Sequence, residues 1–428
     1  ASYRLPASGQ DLYLLPSASG YQDVLLVTND QPLDGSAYST GLYVIRVEGG
    51  TPRLLHSTRV AGYPQGSRLA GRRLFLCTTD WSADYYTSST ALSDWLIADG
   101  AAPALQQSIP LSGSFSTLAA GPDWLAVALT PPGQWGVSTA SVYHLSATGL
   151  SALTAGPVTL AGQLNDAYKL QWSSGVLTTI SQAWPSDGSP RTTWLETFRA
   201  AGPAANGERL GRLELARGET LHATRFAGDK AYIVTFLQKD PLFVVDLSDP
   251  TQPTIAGQVD VPGWSTHIEP IGDNLFTVGW EDGAVTASLF DVSNPATPTL
   301  RRRLALTEGY GYSEANWDPQ ALSVLPDASL ALIPITSYTD GAATYGVRLV
   351  DIDLVAGDLR ARGLIPGRFE ARRAALVGDT AVTLSQRTLA TATITDRDLP
   401  AILSDYLLAW PVDRVLPSGD RVLGVETG

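Results

Sequence analysis

Two stretches of the chain repeat one another, and this repetition constrains the fold more than any other feature. Residues 246–250 read Asp-Leu-Ser-Asp-Pro, and residues 291–295, 45 positions later, read Asp-Val-Ser-Asn-Pro. Each motif lies between two short runs that are rich in β-branched and aromatic residues. This pattern is typical of two β-strands joined by a turn. A chain that repeats such a unit is expected to fold as a series of copies of it.

One complete copy extends from Glu219 to Gly263 and contains four strand-like runs. These runs are residues 222–226, 231–236, 242–247 and 255–261. Pro250 and Pro253 bracket the turn between the third and fourth runs, where Asp and Ser side chains can accept hydrogen bonds from nearby backbone amides. Each copy therefore predicts four antiparallel strands.

Glycines mark the end of the fourth run in unit after unit, 45 to 58 residues apart. They are Gly62, Gly113, Gly162, Gly218, Gly263, Gly309 and Gly367. This is the spacing of propeller blades. The unit before Gly62 and the seven that follow it make eight. We therefore predict an all-β fold, a single β-propeller domain over residues 1–428 with four-stranded antiparallel blades, and favour eight blades over the alternative of seven.

The two ends of the chain bear on how such a ring closes. An open array would expose unpaired strand edges, which promote aggregation. Residues 411–428 are predicted to be a tail that could close the ring by pairing near the N-terminus. The chain begins with Ala1 rather than Met, as expected after removal of a signal peptide. We accordingly expect a secreted, periplasmic or cell-surface protein.

Charge and hydropathy exclude several classes of partner. The chain has 29 Lys and Arg residues against 42 Asp and Glu residues, a net charge of −13. Nucleic acid is excluded as a partner because phosphate binding relies on clustered cations. No apolar run approaches the roughly 18 residues of a membrane helix, so no transmembrane segment is expected. The single cysteine, Cys77, lies in an apolar run and is expected to be a buried, inert thiol.

Three runs of residues resemble a known family. Residues 225–236, 240–250 and 288–295 are similar to the secreted bacterial and archaeal β-propeller domain family that is distantly related to WD40 repeats. The resemblance is strongest between Gly218 and Gly378. It implies the fold and an extracytoplasmic location more than any chemistry. The family often has Asp-His where this chain has Asp318-Pro319, so no histidine role is carried over to that position.

Polar residues follow several of the repeating glycines. In a propeller the innermost strand of each blade begins at the axial funnel, so such residues should converge there. Asp166, His222 and His267 each lie four positions after one of these glycines. Glu269, Glu314 and Glu370 lie at nearby positions in their own units. They could form a ring that binds a metal or a polar ligand. The alternative, which we favour, is that they bind water in a polar channel.

Aromatic residues form a second set of candidates. Trp81, Tyr85 and Tyr86 lie in one long insert, and Trp264, Tyr310, Tyr312 and Trp317 lie near the predicted funnel. Exposed aromatic side chains suit recognition of a sugar or a protein. For Trp264 and Trp317, packing between neighbouring blades is the favoured alternative.

The chain lacks the local motifs of nucleophile elbows, phosphate loops, dinucleotide sites and zinc proteases. We therefore predict a non-enzymatic binding or assembly module whose partner is another extracytoplasmic protein or a glycan. The alternative is an extracytoplasmic enzyme or metal-binding protein with its site in the funnel. The sequence identifies no cofactor and leaves metal binding open.

Overall fold

The computed structural model describes residues 8–17, 20–30, 38–81, 88–146, 148–202, 205–236, 240–261, 263–408, 414–418 and 421–425. These residues form eight antiparallel sheets of four strands each, two of which contain one additional short strand. The predicted all-β propeller with eight four-stranded blades is confirmed. Along the described ranges, no helix is long and apolar enough to cross a membrane.

The chain divides into two compact units, the first of which comprises residues 1–219 and 247–254. This unit contains blades 1 to 4. Blade 1 consists of β1 (Ser8–Leu14), β2 (Tyr21–Asp30), β3 (Ser39–Glu48) and β4 (Thr51–Ala61). Blade 2 consists of β5 (Tyr63–Ala70), β6 (Arg73–Trp81), β7 (Ser88–Leu96) and β8 (Ala104–Leu111). Blade 3 consists of β9 (Ser114–Ala120), β10 (Trp124–Thr130), β11 (Thr139–Ser146), β12 (Gly149–Ala152) and β13 (Val158–Thr159). Blade 4 consists of β14 (Leu170–Ser173), β15 (Val176–Ala183), β16 (Thr192–Arg199) and β17 (Arg209–Arg217).

The second unit comprises residues 220–246 and 255–428 and contains blades 5 to 8. Blade 5 consists of β18 (Thr220–Ala227), β19 (Lys230–Phe236), β20 (Asp240–Asp246) and β21 (Thr254–Val261). Blade 6 consists of β22 (Trp264–Ile271), β23 (Asn274–Glu281), β24 (Ala284–Asp291) and β25 (Thr299–Ala305). Blade 7 consists of β26 (Gly311–Tyr312), β27 (Ser323–Leu325), β28 (Leu330–Thr339), β29 (Ala342–Asp353) and β30 (Asp358–Gly367). Blade 8 consists of β31 (Ala371–Val377), β32 (Thr380–Ser385), β33 (Thr388–Thr393) and β34 (Ala401–Leu407).

Within each unit, the clusters of buried hydrophobic residues lie between successive blades. In the first unit, one cluster joins Leu25 and Val27 of blade 1 to Leu74 and Leu76 of blade 2. The second strands of these two blades are buried on both faces, which explains why residues 25–27 and 74–77 are all apolar. The stability of repeat folds is approximately a sum of repeat and nearest-neighbour terms.

Side-chain caps shape the proline turns that the sequence predicted. In one turn, Asp249 Oδ1 accepts hydrogen bonds from Thr251 N at 2.9 Å and Thr251 Oγ1 at 2.7 Å. In its counterpart, Asp291 Oδ1 accepts from Ser293 N at 2.9 Å and Ser293 Oγ at 2.6 Å. These bonds, together with Arg301, lower the pKa of Asp291 to about 2. The predicted capping of these turns is confirmed.

These two turns, and a third proline turn that ends at Pro400, each pack against a glycine in the outer strand of the preceding blade. We call this contact the turn–glycine joint. A β-carbon at Gly257 would lie 2.4 Å from Pro295 O and 2.7 Å from Ala296 C. The other two joints place a hypothetical β-carbon at Gly211 2.7 Å from Pro250 O, and one at Gly363 2.4 Å from Pro400 Cδ. Only glycine fits at these positions without a shift of the neighbouring chain.

The outer strand of blade 3 is not continuous. It forms two short pieces, β12 and β13, and residues 153–157 leave the sheet between them. Gly202 N donates to Leu153 O at 3.1 Å, and Ala155 N donates to Ala205 O at 2.8 Å. These bonds to a neighbouring loop hold residues 153–157 out of the sheet.

The C-terminal strands β35 (Arg414–Ser418) and β36 (Arg421–Val425) pair with each other in a separate two-stranded sheet. Blade 1 has its four strands without them. The single domain over residues 1–428 and the ring-closing role of residues 411–428 stay predictions.

Candidate functional site

The two candidate histidines occupy different positions in their strands. In blade 5 the pairing register shifts between Leu221 and Ala223, which places His222 at a β-bulge. In blade 6 the corresponding shift places Thr266 at the bulge, so that His267 pairs with Val278. Strand β18 begins two residues after its glycine, whereas β22 begins one residue after. His222 and His267 are therefore not equivalent, despite their equal spacing from Gly218 and Gly263.

Glu269 is held by side chains of two inner strands. Its Oε2 lies 2.9 Å from the guanidinium of Arg225, on β18, and 3.5 Å from Nε2 of His267, on its own strand β22. Burial raises the pKa of Glu269, but the hydrogen bond with His267 and the charge of Arg225 outweigh it, so the pKa lies below its ordinary value. The carboxylate therefore stays ionised and links blades 5 and 6.

Asp166 caps a short 3-10 helix of the first unit, Ala167–Lys169. Its Oδ1 accepts a hydrogen bond from Tyr168 N at 3.0 Å, and its Oδ2 pairs with Lys169 Nζ. Within the described ranges, no group of three or more His, Cys, Asp or Glu side chains could hold a metal ion. The metal-binding alternative thus gains no support from the structure, and a shared funnel role for Asp166, His222 and His267 stays a prediction.

The inner strand of blade 7 is interrupted by residues 313–322, which we call the insert. They form two 3-10 helices, Glu314–Asn316 and Pro319–Ala321, between β26 and β27. Ser313 Oγ accepts a hydrogen bond from Ala315 N, and Asp318 Oδ1 accepts one from Gln320 N. Asp318 also pairs with Arg373 of blade 8 at 2.8 Å. The capping residues and Pro319 were the sequence signals for these helices, but the strand prediction missed them.

Exposed aromatic rings gather around the insert. Trp317 is 71% exposed and contacts Trp280 edge to face, with ring centroids 5.5 Å apart. Tyr310 is 66% exposed and lies 6.1 Å from Tyr338, which is 38% exposed. Trp280 Nε1 donates a hydrogen bond to Gly311 O at 3.1 Å. Because Gly311 directly follows Tyr310, this bond connects the two aromatic pairs. We call Tyr310, Trp317 and Tyr338, with Trp280 behind them, the aromatic patch.

The strand order explains why these rings meet. Trp280 and Tyr338 lie near the ends of the second strands of blades 6 and 7, and Tyr310 directly precedes β26. Because first and second strands are antiparallel, the start of one lies beside the end of the other. Trp317 contacts Trp280 of the neighbouring blade, but most of its surface remains exposed.

The other predicted site residues lie outside this patch. Tyr312 is half-buried, and burial raises the pKa of its phenol to about 12 despite a hydrogen bond with Thr336. Glu314 is half-buried at the start of the insert's first helix. Trp81 lies at the end of β6 and is 38% exposed. The backbone of Trp264 pairs with that of Trp280, but its side chain, like Tyr85 and Tyr86, lies outside the described part of the chain.

Asn316 is a polar residue that the sequence reasoning missed. Its side chain is buried, with 7% exposure, and neither Nδ2 nor Oδ1 has a hydrogen-bond partner among the described residues. Leaving a buried amide without a hydrogen-bond partner costs free energy. A water molecule or a bound group at this place would supply the missing hydrogen bonds. This residue directly precedes Trp317 of the patch.

Three carboxylates lie close to the patch residues in the sequence. Asp282 and Asp340 lie in the turns that follow the strands of Trp280 and Tyr338, and Glu308 lies two residues before Tyr310. All three are exposed, and none forms an ion pair within the described part of the chain. By contrast, the neighbouring Glu281 pairs with Arg303 at 2.7 Å.

Cavities in the two units have different linings. In the first unit, a cavity of about 540 Å³ lies between β8 and β11, beside the broken outer strand of blade 3, and its lining residues carry no charge. In the second unit, a cavity of about 210 Å³ lies between blades 7 and 8, with Phe369 in its wall. Arg387 lies 4.9 Å from the centroid of that ring.

Comparison with known proteins places the chain in a family. Residues 131–396, more than half of the chain, match the family model described as Beta propeller domain. The chain belongs to this β-propeller family. The propeller is 48% identical over 86 residues to uncharacterized protein MJ1554 of Methanocaldococcus jannaschii, and 45% identical over 130 residues to an uncharacterized protein of Archaeoglobus fulgidus.

These matches cover 20% and 29% of the propeller, and 14% and 21% of the lengths of the two archaeal relatives. Among solved structures, apo AztD from Citrobacter koseri is similar over 91% of the propeller and 95% of that chain, with 13% identity and a TM-score of 0.48.

Proposed function

We propose that this propeller is a non-enzymatic binding or assembly module that engages a partner protein through the aromatic patch. We place it outside the cytoplasm, at the cell surface or in the periplasm, on the strength of the resemblance to secreted propellers. The observation that carries the binding role is the exposure of Tyr310, Trp317 and Tyr338 together on blade 7.

The chemistry of the patch suits a protein interface. Tyr and Trp are enriched among the residues that contribute most to binding energy. Large exposed apolar surfaces on a folded protein mark interaction sites. The hydrogen bond from Trp280 to Gly311 and the caps of the insert hold the rings in place before binding. A preorganised surface loses less conformational entropy on association.

Several groups that a catalytic site would use are held in unreactive states. Glu269 is engaged by Arg225 and His267. Burial raises the pKa of Cys77 to about 12, and the pKa of Tyr312 is also about 12. At neutral pH the thiol and the phenol are therefore protonated, so neither is available as an anionic nucleophile.

Affinity capture from an extract of the native organism tests the proposal. The bait is the wild-type chain, a Tyr310→Ala/Trp317→Ala variant, or a Trp135→Ala control, since Trp135 is 90% exposed on the first unit. We expect a partner that the wild type and the control retain and the patch variant loses. Equal capture by all three would refute the role of the patch, and an exclusively cytoplasmic location of the full-length protein would refute the proposed compartment.

A further inference from the structure

Several aromatic rings elsewhere in this chain are covered by an arginine. The guanidinium carbon of Arg46 lies 3.6 Å from the ring centroid of Tyr21, and that of Arg212 lies 3.9 Å from the ring centroid of Trp194. Arg191 covers Trp184 in the same way at 4.2 Å. The face of an aromatic ring attracts a cation because the ring quadrupole is negative there.

Two of these arginines also pair with carboxylates. Arg46 contacts Asp23 at 2.8 Å and Asp99 at 3.0 Å, and Arg212 contacts Glu196 at 3.5 Å. The chain thus twice builds one arrangement, in which a guanidinium lies over a ring and forms an ion pair with at least one carboxylate. We call this arrangement the cation seat.

The aromatic patch has exposed rings with carboxylates nearby, as in a cation seat, but no cation among the described residues covers these rings. A β-carbon at Gly283, next to Asp282, would lie 3.4 Å from Tyr310 Cδ2. Glu308 and Asp340 are each two residues from a ring of the patch. Within the described part of the chain, no Arg or Lys covers Tyr310, Trp317 or Tyr338. Glu308 interacts electrostatically with Arg348, which is half-buried and covers none of these rings.

We propose that the aromatic patch binds Arg or Lys side chains of a basic segment in the partner protein. This inference rests on the proposed function and adds the chemistry of the partner. The faces of the rings bind the cations through cation–π contacts. Asp282, Glu308 and Asp340 accept hydrogen bonds from the N–H groups of these cations. Exposed charges act over a distance and are screened by salt, so association is expected to weaken as ionic strength rises.

Peptide binding measured by fluorescence anisotropy tests the proposal. The probe is a fluorescein-labelled peptide with four arginines separated by Gly-Ser, and its control carries Gln at the same four positions. We expect the wild-type propeller to bind the Arg peptide at least tenfold more tightly than the Gln peptide. We expect Tyr310→Ala/Trp317→Ala to weaken binding of the Arg peptide at least tenfold.

A matched pair of charge variants separates the patch from the general attraction of an acidic protein. Asp282→Asn/Glu308→Gln/Asp340→Asn removes three charges at the patch, and Asn tolerates the positive φ of positions 282 and 340. Asp229→Asn/Asp273→Asn/Asp379→Asn removes three charges from turns at the opposite ends of the blade strands. We expect the patch variant to lose at least tenfold in affinity and the remote variant less than twofold.

Equal losses in the two charge variants would overturn the inference, as would equal binding of the Arg and Gln peptides. Circular dichroism melting curves establish that each variant is folded. If affinity capture depends on Trp317 but no basic peptide binds, the proposed function stands and the cationic partner is wrong. If the peptide binds at the patch but capture is unchanged by Tyr310→Ala/Trp317→Ala, the patch binds cations and the proposed function is wrong.

Discussion

At the level of single residues, Glu269 illustrates how environment decides what a carboxylate does. Its spacing in the sequence suggested a ligand in a funnel, but Arg225 and His267 engage it in the folded chain. The ion pair and the hydrogen bond favour the ionised form and lower the pKa of Glu269 despite its burial. Folding is therefore coupled to the loss of a proton from this side chain.

Glu269→Gln is expected to reduce the pH dependence of stability. A depressed folded-state pKa contributes stability that is present above the ordinary glutamate pKa of 4.5 and is lost as pH falls through the folded-state value. The free energy of unfolding of the wild type should therefore exceed that of the variant, and the difference should be largest at pH 6 to 7. Urea denaturation between about pH 3 and pH 7 measures this difference. A difference that does not change with pH would contradict the assigned pKa.

The sequence predicted individual site residues less well than it predicted blades. The rule of four residues after a glycine grouped His222 with His267, but a bulge and a one-residue difference in strand start separate them. The exposure of Trp317 and the unpaired amide of Asn316 both depend on how the insert folds. Neither follows from residue type and spacing, because several segments distant in the sequence surround them.

At the level of secondary-structure elements, the turn–glycine joint connects local sequence to packing between blades. The Asp-x-Ser-Asp/Asn-Pro turns are shaped by their own side-chain caps, as the sequence predicted. Their contact with a glycine of the preceding outer strand was not predicted, since that glycine is 38 or 39 residues earlier in two of the three joints. The joint is a contact between elements that neither element specifies alone.

Gly257→Ala is expected to destabilise the second unit. The added methyl group would overlap the carbonyl oxygen of Pro295. Relieving this overlap requires a backbone shift that costs about 1–3 kcal/mol. Gly156→Ala is the matched control, because nothing lies within 4 Å of a β-carbon there and its φ is not positive. Urea denaturation should show a lower midpoint for Gly257→Ala and no decrease for the control. Equal midpoints would show that the turn moves freely.

Strand continuity was the feature of the elements that the sequence predicted least well. The four-run pattern located most strands, but two of them are broken in the structure. Residues 153–157 leave blade 3 through hydrogen bonds to the loop around Ala205, and the insert replaces part of the inner strand of blade 7. Gly156, Pro157 and Pro319 interrupt these runs, but such residues also occur in ordinary turns. The choice between a turn and a break depends on the neighbouring blade.

At the level of the whole molecule, the stabilising contacts are distributed along the series of blades. Cys77 lies in the cluster that joins blades 2 and 3, where it contacts no solvent. Burial raises the pKa of its thiol to about 12, so the reactive thiolate is almost absent at pH 8. The single cysteine therefore reports on the opening of this interface.

Cys77 is expected to resist labelling by a disulfide reagent at pH 8 in native buffer. Its labelling rate should rise steeply across the urea unfolding transition, because only an opened interface exposes the sulfur. A Ser57→Cys variant provides an exposed thiol for comparison, since Ser57 is exposed on β4. Native-state labelling of Cys77 as fast as that of the added cysteine would contradict the described packing.

The turn–glycine joint also bears on how such a chain could have grown. The segment from Gly218 to Gly263 carries both halves of a joint, with Pro250 in its turn and Gly257 in its outer strand. If a gene duplication copied this segment in tandem, the turn of the new copy would meet the glycine of the old one without any further substitution. Head-to-tail complementarity of this kind lets a protein gain a repeat in a single genetic event.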